Sequence, residues 1–462
     1  MTISTTPACA FALDQNAKSF NSSAGSGSIS VTAGSGCFWT ATANASWLHV
    51  TSGGGSSNGP VSYSVDANTA SSARSGTLAV AGQTFTVTQD AAAPTSSNLQ
   101  FNTATYSISE GSGSATINVT RTGNMSNSVT VDFATSDGTA RQRTDYTSMT
   151  GTLNFAPGEA SKSFVIPLID NAYVDGSRTV NLTLSRTAGT ATLGSPGAAL
   201  LTILDNDTTA PTSNPIDNNQ FFTQQQYLDF LNRVPDADGL GYWTNQITLC
   251  GANPACINSR RVGVSAAFFI ELEFQDTGSF VYRFYKASYG ERPTYAQFMP
   301  DRSRVVGGTD LESGKQAFAE AWAQRPEFLA KYPASLTGPQ FIDALLLTVL
   351  NGSGANLSGL RPALINDFNT YQSRARIVRM VVDDASFKQA EYNKAFVLMQ
   401  YFGYLRRDPE IDGYLFWLDV LNNRVQNNYR GMVCAFITSA EYQDRFSSVH
   451  TRNDQICSSL AP

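Results

Sequence analysis

The sequence predicts two all-β sandwiches of the immunoglobulin-like kind followed by an all-α helical repeat region, on three observations. Residues 1–209 alternate apolar and polar positions in short Ser/Thr/Gly-rich runs, the pattern of strands with one buried face. Residues 210–462 carry longer aromatic and aliphatic stretches at helical spacing, broken by Pro/Gly turns. Charge shifts at the same place: the first part holds 8 basic and 12 acidic side chains, the second 23 and 25.

At 462 residues the chain has room for about three domains. Two polar, proline-bearing stretches, AAAPTSSN and TTAPTSNP, read as linkers. They set the expected boundaries: a sandwich over 1–90, a linker over 91–97, a sandwich over 98–207, a linker over 208–217 and a helical domain over 218–450. A hydrophobic share of 42% and a mean hydropathy of −0.18 suit folded domains with sizeable cores. The net charge of −6 argues against nucleic acid or anionic lipid as a general partner. No apolar run is long enough to span a bilayer. The N-terminus, MTISTTPACAFAL, has no basic region and too short an apolar stretch for a visible signal peptide.

The six cysteines permit three bridges, and local spacing suggests Cys9–Cys37, Cys250–Cys256 and Cys434–Cys457. Zinc-type spacing and histidine partners are lacking. Oxidised pairs imply an extracellular or cell-surface location.

In the first segment, Ile29, Val31, Val61, Tyr63, Val65, Leu78, Val80, Phe85 and Val87 fall on one face of alternating strands, with Gly82 in a hairpin. GSGCFWTATANASWLHVTSG and SARSGTLAVAGQTFTVTQ resemble the BACON domain of bacterial secreted proteins. That resemblance implies an immunoglobulin-like sandwich and a carbohydrate-binding or spacer role. Trp39 and Trp47 are its candidate sugar-stacking residues, although core packing is the commoner fate of such aromatics.

In the second segment six acids stand beside strands in charge-poor surroundings: Glu110, Asp137, Asp170, Asp175, Asp205 and Asp207. Ca²⁺ takes about six to eight oxygen ligands, and loops gathered at one end of a sandwich can supply them. Asp137 and Asp175 also precede glycine, where aspartate serves a turn without any ion. About seven strands are expected, through Ile117/Val119, Val129–Phe133, Leu153/Phe155, Phe164–Leu168, Val180–Leu184 and Leu201/Ile203. YSISEG (106–111), FATSDGTA (133–140), TDY (144–146), FAPGE (155–159), PLIDN (167–171) and ILDND (203–207) resemble a Calx-beta domain in content and order. The resemblance carries a calcium role onto Glu110, Asp137, Asp170, Asp205 and Asp207, with Asp175 a plausible addition. After Asp170 the family often has an acid-rich run, whereas Asn171–Arg178 here has one acid and a guanidinium that can take a cation's place. Weak binding, on the order of 10⁻⁴ M, is expected.

The helical half repeats internally. Arg233–Trp243 (RVPDADGLGYW) matches Arg407–Trp417 (RDPEIDGYLFW) at a constant offset of 174 residues. FFIELEF, ending at Phe274, matches FITSAEY, ending at Tyr442, at an offset of 168, the difference falling in the Cys250–Cys256 loop. Glu273-Phe274, Glu327-Phe328, Ser386-Phe387 and Glu441-Tyr442 mark four copies, each expected to hold three helices. The Pro-Asp-x-Asp-Gly step, which lacks the rest of an EF-hand loop, reads as a helix cap. YLDFLNRVPDADGLGYW resembles an uncharacterised bacterial C-terminal domain related to the phycobilisome linker fold.

With His49 and His450 the only histidines, and no phosphate-cradling glycine loop, the expected function is non-catalytic. The expectation is a secreted or cell-surface binding or adhesion protein, calcium-stabilised through the second sandwich, whose partner is a surface glycan or a protein ligand. The alternatives are a set of carbohydrate-binding accessory modules and a scaffold that docks another protein through its helices.

Overall fold

A computed structural model describes residues 9–270, 272–307 and 311–458. The first eight residues and Glu271 of the FFIELEF run lie outside the described residues. Two compact units are distinguished: residues 1–98 with short pieces at 121–127 and 190–192, and the rest of residues 99–462.

The first unit is a sandwich of two sheets. One contains Phe11–Leu13, Gly25–Ala33, Gly59–Val65 and Leu48–Ser52; the other contains Ala17–Phe20, Gln83–Gln89, Arg74–Val80, Trp39–Ala43 and Gly54–Gly55. All nine apolar residues assigned to one face are buried in a single cluster. Strands Arg74–Val80 and Gln83–Gln89 join through a two-residue turn in which Ala81 (φ 51°) and Gly82 (φ 77°) both adopt the left-handed conformation. That is the hairpin geometry whose twist matches the strands. Cys9 is bridged to Cys37.

The second sandwich lies mainly in the other unit. Its larger sheet has the order Thr105–Ser109, Ala198–Leu204, Arg178–Ala188, Val129–Asp137, Thr150–Phe155. In the facing sheet Ser114–Gly123 pairs antiparallel with Ser161–Pro167. Thr105–Ser109 was not anticipated as a strand, because only one of its residues is aliphatic. It matters most, since it runs parallel to Ala198–Leu204 with Ser109 opposite Leu204. Parallel pairing makes both chains leave the sheet at the same end, so Glu110 and Asp205 emerge side by side.

The helical region contains the four expected copies. Their leading helices are Asn219–Gln226 (extended by a π turn, Tyr227–Leu231), Gly278–Tyr289, Gly338–Ser353 and Ala385–Gln400 (extended by a π turn, Tyr401–Leu405). Side-chain caps start several of them: Asn218 accepts from the Gln220 and Phe221 amides, and Thr337 forms a capping box with Gln340. The second helices are Ala237–Thr248, Tyr295–Arg302, Arg361–Tyr371 and Ile411–Asp419; the third are Pro254–Ile270, Leu311–Ala323, Arg374–Val382 and Tyr429–Ile437. A fourth, short helix not anticipated carries the aromatic marker in three copies (Leu272–Asp276, Pro326–Lys331, Ala440–Gln443), whereas Ser386-Phe387 opens the next long helix. Asp236 caps its helix as expected, its carboxylate accepting the Gly239 amide at 2.7 Å; Glu410 makes no such cap bond and pairs with Arg407 at 2.8 Å.

Equivalent residues repeat their packing. Trp243 meets Phe268 at 5.5 Å between ring centroids, and Trp417 meets Phe436 at 6.0 Å. Arg233 grips Glu273 with two bonds, 2.7 and 2.9 Å, as Arg407 grips Glu441 with 2.6 and 3.0 Å. Cys250–Cys256 closes the loop between two first-copy helices, and Cys434–Cys457 ties Tyr429–Ile437 to the last helix, Gln455–Ser458. The stretch read as a linker over 208–217 is fixed from Asn214 onward. Ile216 is buried in the helical core, and the Arg261 guanidinium donates to the Ile216 carbonyl at 2.7 Å. Among the described residues no helix is long and apolar enough to cross a membrane.

Candidate metal centre

The strand ends assemble an acidic pole on the second sandwich. Glu110 follows Thr105–Ser109, in a single 3₁₀ turn, and Asp205 follows Ala198–Leu204. Asp137 closes Val129–Asp137 opposite Val180, while Arg178 sits opposite Ile203. Ser114 is opposite Pro167, so the chain reaches Asp170 at the same end.

One carboxylate oxygen from each of Glu110, Asp205 and Asp207 lies within 4.8 Å of the other two. Glu110 is only 4% exposed. Its Oε2 accepts the Asn171 side-chain amide at 3.0 Å, and its Oε1 accepts the Asn206 backbone amide at 3.5 Å. Asp170 joins the edge of the group through Asn206, whose side-chain amide donates to Asp170 Oδ1 at 3.3 Å. Asp205 accepts the Asp175 and Gly176 amides on Oδ2, at 2.9 and 2.7 Å, and the Asp207 amide on Oδ1 at 2.8 Å. Asp207 Oδ2 is buried without a hydrogen-bond partner.

The charges respond to this crowding. Burial, with the negative charges of Asp170, Asp205 and Asp207 adding to it, pushes the Glu110 carboxyl up to about 8 despite the Asn206 amide. Burial also raises Asp170 and Asp207, the latter helped by Asp170, Asp205 and Asp175. Asp205 alone is held low: burial pushes it up, but the Asp207, Gly176 and Asp175 amides and the Arg178 charge outweigh that.

The other two predicted ligands are engaged elsewhere. Asp137 Oδ1 accepts the Tyr146 hydroxyl at 2.8 Å and the Gln142 amide at 3.1 Å, and Arg141 stands 3.8 Å from Oδ2. Asp175 turns its carboxylate to Arg178, 2.7 Å away, and gives the trio only its backbone amide. Sequence reading passed over Asn171 and Asn206, the amides that hold Glu110 and Asp170 in place. Their signal was present in the D-N and D-N-D strings, where an amide beside a carboxylate can orient it.

Gly111 sets the clearance of the pole. A Cβ there would stand 2.7 Å from Asn206 Nδ2 and 3.6 Å from Asp170 Oδ1. Gly111→Ala therefore pushes Asn206 aside and loosens its hold on Asp170. We expect cation affinity at the pole to fall about tenfold, as disturbed supporting contacts do at metal sites, with little change in circular dichroism. Unchanged affinity by calorimetry would refute the clearance role.

The first sandwich offers no comparable site at its tryptophans. Trp39 is 5% exposed and donates its indole N–H to the Ser57 carbonyl at 2.8 Å. Trp47 is partly buried, with the Arg74 guanidinium 4.4 Å from its ring centroid. A sugar platform needs open aromatic faces; Trp39 is buried, and the Arg74 guanidinium lies over the ring of Trp47.

Comparison with known proteins finds family matches in three stretches of the chain. Residues 94–207 match the Calx-beta domain family, and residues 38–90 match BACON, described as a putative binding domain, N-terminal. Residues 380–446 match a domain of unknown function, DUF4214. Sodium/calcium exchanger 1 of Bos taurus is 33% identical over 129 residues, covering 24% of this chain and 13% of the exchanger. Sodium/calcium exchanger Calx of Drosophila melanogaster is 30% identical over 109 residues, covering 24% and 12%. The chain thus spans about an eighth of the length of these curated relatives. Among solved structures, the apo form of the Calx CBD1 domain is 30% identical and covers 24% of this chain and 98% of its own, with a TM-score of 0.24.

Proposed function

We propose that the acidic pole of the second sandwich binds calcium and that the chain is a non-catalytic, calcium-stabilised binding or adhesion protein working outside the cell. The observation that carries the calcium reading is the Glu110, Asp205 and Asp207 trio, with Asp207 Oδ2 buried and unpartnered. Three carboxylates this close repel one another, and burial makes each charge more costly still. A divalent cation removes both penalties. The donor set is all oxygen, which suits a hard ion, with Glu110, Asp205 and Asp207 as ligands and Asp170 beside them. Asn171 and Asn206 orient the carboxylates, and the Asp175 and Gly176 amides fix Asp205. The similarity of this stretch to the sodium/calcium exchangers supports the same reading.

Three disulfides support an oxidising compartment. Protein docking through the helices is favoured over glycan binding by one feature. The second helices of the first and last copies expose Tyr242 (59%), and Ile411 (58%), Leu415 (52%) and Phe416 (47%). Aromatic and aliphatic side chains left in water mark contact surfaces.

Calorimetric titration of the whole chain with CaCl₂ tests the calcium reading. Wild type is expected to bind on the order of 10⁻⁴ M, and Asp205→Ala to lose the binding heat. A wild-type chain with no calcium heat and no calcium-dependent rise in melting temperature overturns the reading.

A further inference from the structure

The loops that shape the acidic pole also hold the sandwich to the last helical copy. The chain after Ser161–Pro167 faces two ways within a few residues. Ile169 is fully buried in the helical core cluster. Its neighbour Asp170 turns to Asn206, and Asn171 donates to Glu110 Oε2. Then Ala172 gives its amide to the Phe446 carbonyl at 2.8 Å, and the Tyr173 hydroxyl donates to the Asp444 carbonyl at 3.0 Å. Two residues on, the Asp175 and Gly176 amides bind Asp205.

A second strut runs through the loop between Asp137 and Thr150. Tyr146 holds Asp137 through its hydroxyl, while its carbonyl accepts Arg406 Nη1 at 3.1 Å. Arg406 also donates to the Gln142 carbonyl and to Thr147 Oγ1. Arg143 pairs with Glu441 at 2.9 Å, and its carbonyl accepts Arg445 Nε at 3.3 Å. The first strut thus ends on residues that hold Glu110 and Asp205, the second at Asp137 beside that trio, and both reach the 403–446 segment on the other side.

We propose that calcium occupancy of the pole and docking of the last helical copy are coupled, so that the ion locks the β-sandwich onto the helical body. This inference rests on the calcium reading and adds its regulatory consequence. An ion that draws Glu110, Asp205 and Asp207 together restrains Asn171, Asp175 and Gly176, and with them the Ala172 and Tyr173 contacts. Linkage makes the effect reciprocal: a weakened dock lowers calcium affinity by the factor by which calcium tightens the dock.

The test uses the full chain. Hydrogen–deuterium exchange with and without CaCl₂ is read on peptides covering 168–176 and 440–447, beside a calorimetric calcium titration. Calcium is expected to slow exchange in both peptides of wild type, and in neither of Asp205→Ala. The double variant Arg143→Gln/Tyr173→Phe removes two docking contacts and touches none of the three candidate ligands. It is expected to bind calcium about 5-fold more weakly, at the lower end of usual coupling factors. If calcium binds with its normal heat while exchange at 440–447 is unchanged, or the double variant keeps wild-type affinity, the coupling is refuted and the calcium site stands. If no calcium binds at all, both fall together.

Discussion

Asp229→Ala is expected to destabilise the chain by about 3–5 kcal/mol, the usual cost of stripping one partner from a buried ion pair. The Asp229 side chain is 0% exposed, and so is that of Arg445, which reaches both carboxylate oxygens at 3.0 Å. Arg406, 2% exposed, reaches Oδ1 at 3.2 Å. Arg302, also buried, donates to the Asp229 backbone carbonyl at 3.0 Å. Two guanidiniums therefore meet one carboxylate, and a third meets the same residue's backbone carbonyl, where all the side chains are buried. Arg445 also donates to the Gly403 and Tyr404 carbonyls at the end of a leading helix, whereas Arg406 also donates to the Gln142 and Tyr146 carbonyls and to Thr147 Oγ1. The negative ends of helix dipoles help to offset the surplus positive charge but cannot replace a full one.

Without the Asp229 carboxylate, Arg406 and Arg445 keep their charges, because a guanidinium does not give up its proton in a protein. The charge stays buried and uncompensated. Asp229→Asn preserves shape and part of the hydrogen bonding, so its loss should be smaller than that of alanine. Scanning calorimetry of the two variants against wild type decides the matter. An Asp229→Ala melting temperature equal to wild type would show that the surrounding carbonyls alone hold the arginines.

How much of this was legible in the sequence depends on the range of the interaction concerned. Alternation along Val129–Phe133 and Phe164–Leu168 reports burial directly, because each side chain's face follows from the one before it. The helical copies were visible for the same reason, their markers recurring at near-constant spacing. The acids could be picked out as acids. What did not show was which of them meet, since that is fixed by register between distant strands. The parallel pairing of Thr105–Ser109 with Ala198–Leu204 places Glu110 by Asp205, while Tyr146, brought by a bridge to Leu168, captures Asp137. Asp175 was withdrawn by Arg178, three residues away and in plain view, yet only the turn at Gly176 (φ 75°) brings the two charges together. The Asp229 cluster had a single faint signal, an aspartate inside the apolar run YLDFL. Its partners lie 177 and 216 residues along the chain, beyond the reach of local reading.

The calcium-free chain should lose stability as pH rises from about 4.5 to about 8, and calcium should reverse the trend. Glu110 carries the argument. Burial, and then its acidic neighbours, raise its folded-state carboxyl from 4.5 to about 8. Between those values the folded chain keeps a proton that the unfolded chain has released, so raising pH favours unfolding, by at most about 1.4 kcal/mol per unit for one group. Below about 4.5 both states hold the proton and the contribution of Glu110 is fully present; above about 8 both have lost it and the slope vanishes. A bound cation must displace that proton to use the carboxylate, so calcium binding near pH 6 to 7 should release close to one proton per ion from Glu110. Titrations in buffers of different ionisation enthalpy measure the release, and melting temperatures in EDTA at pH 5, 6, 7 and 8 measure the slope. Glu110→Gln, which cannot titrate, should flatten the EDTA profile and abolish most of the proton release. An EDTA profile that rises with pH in wild type would show that Glu110 is ionised in the empty site, and the accumulated charge that makes the pole a cation trap would have to be shared some other way among Asp170, Asp205 and Asp207.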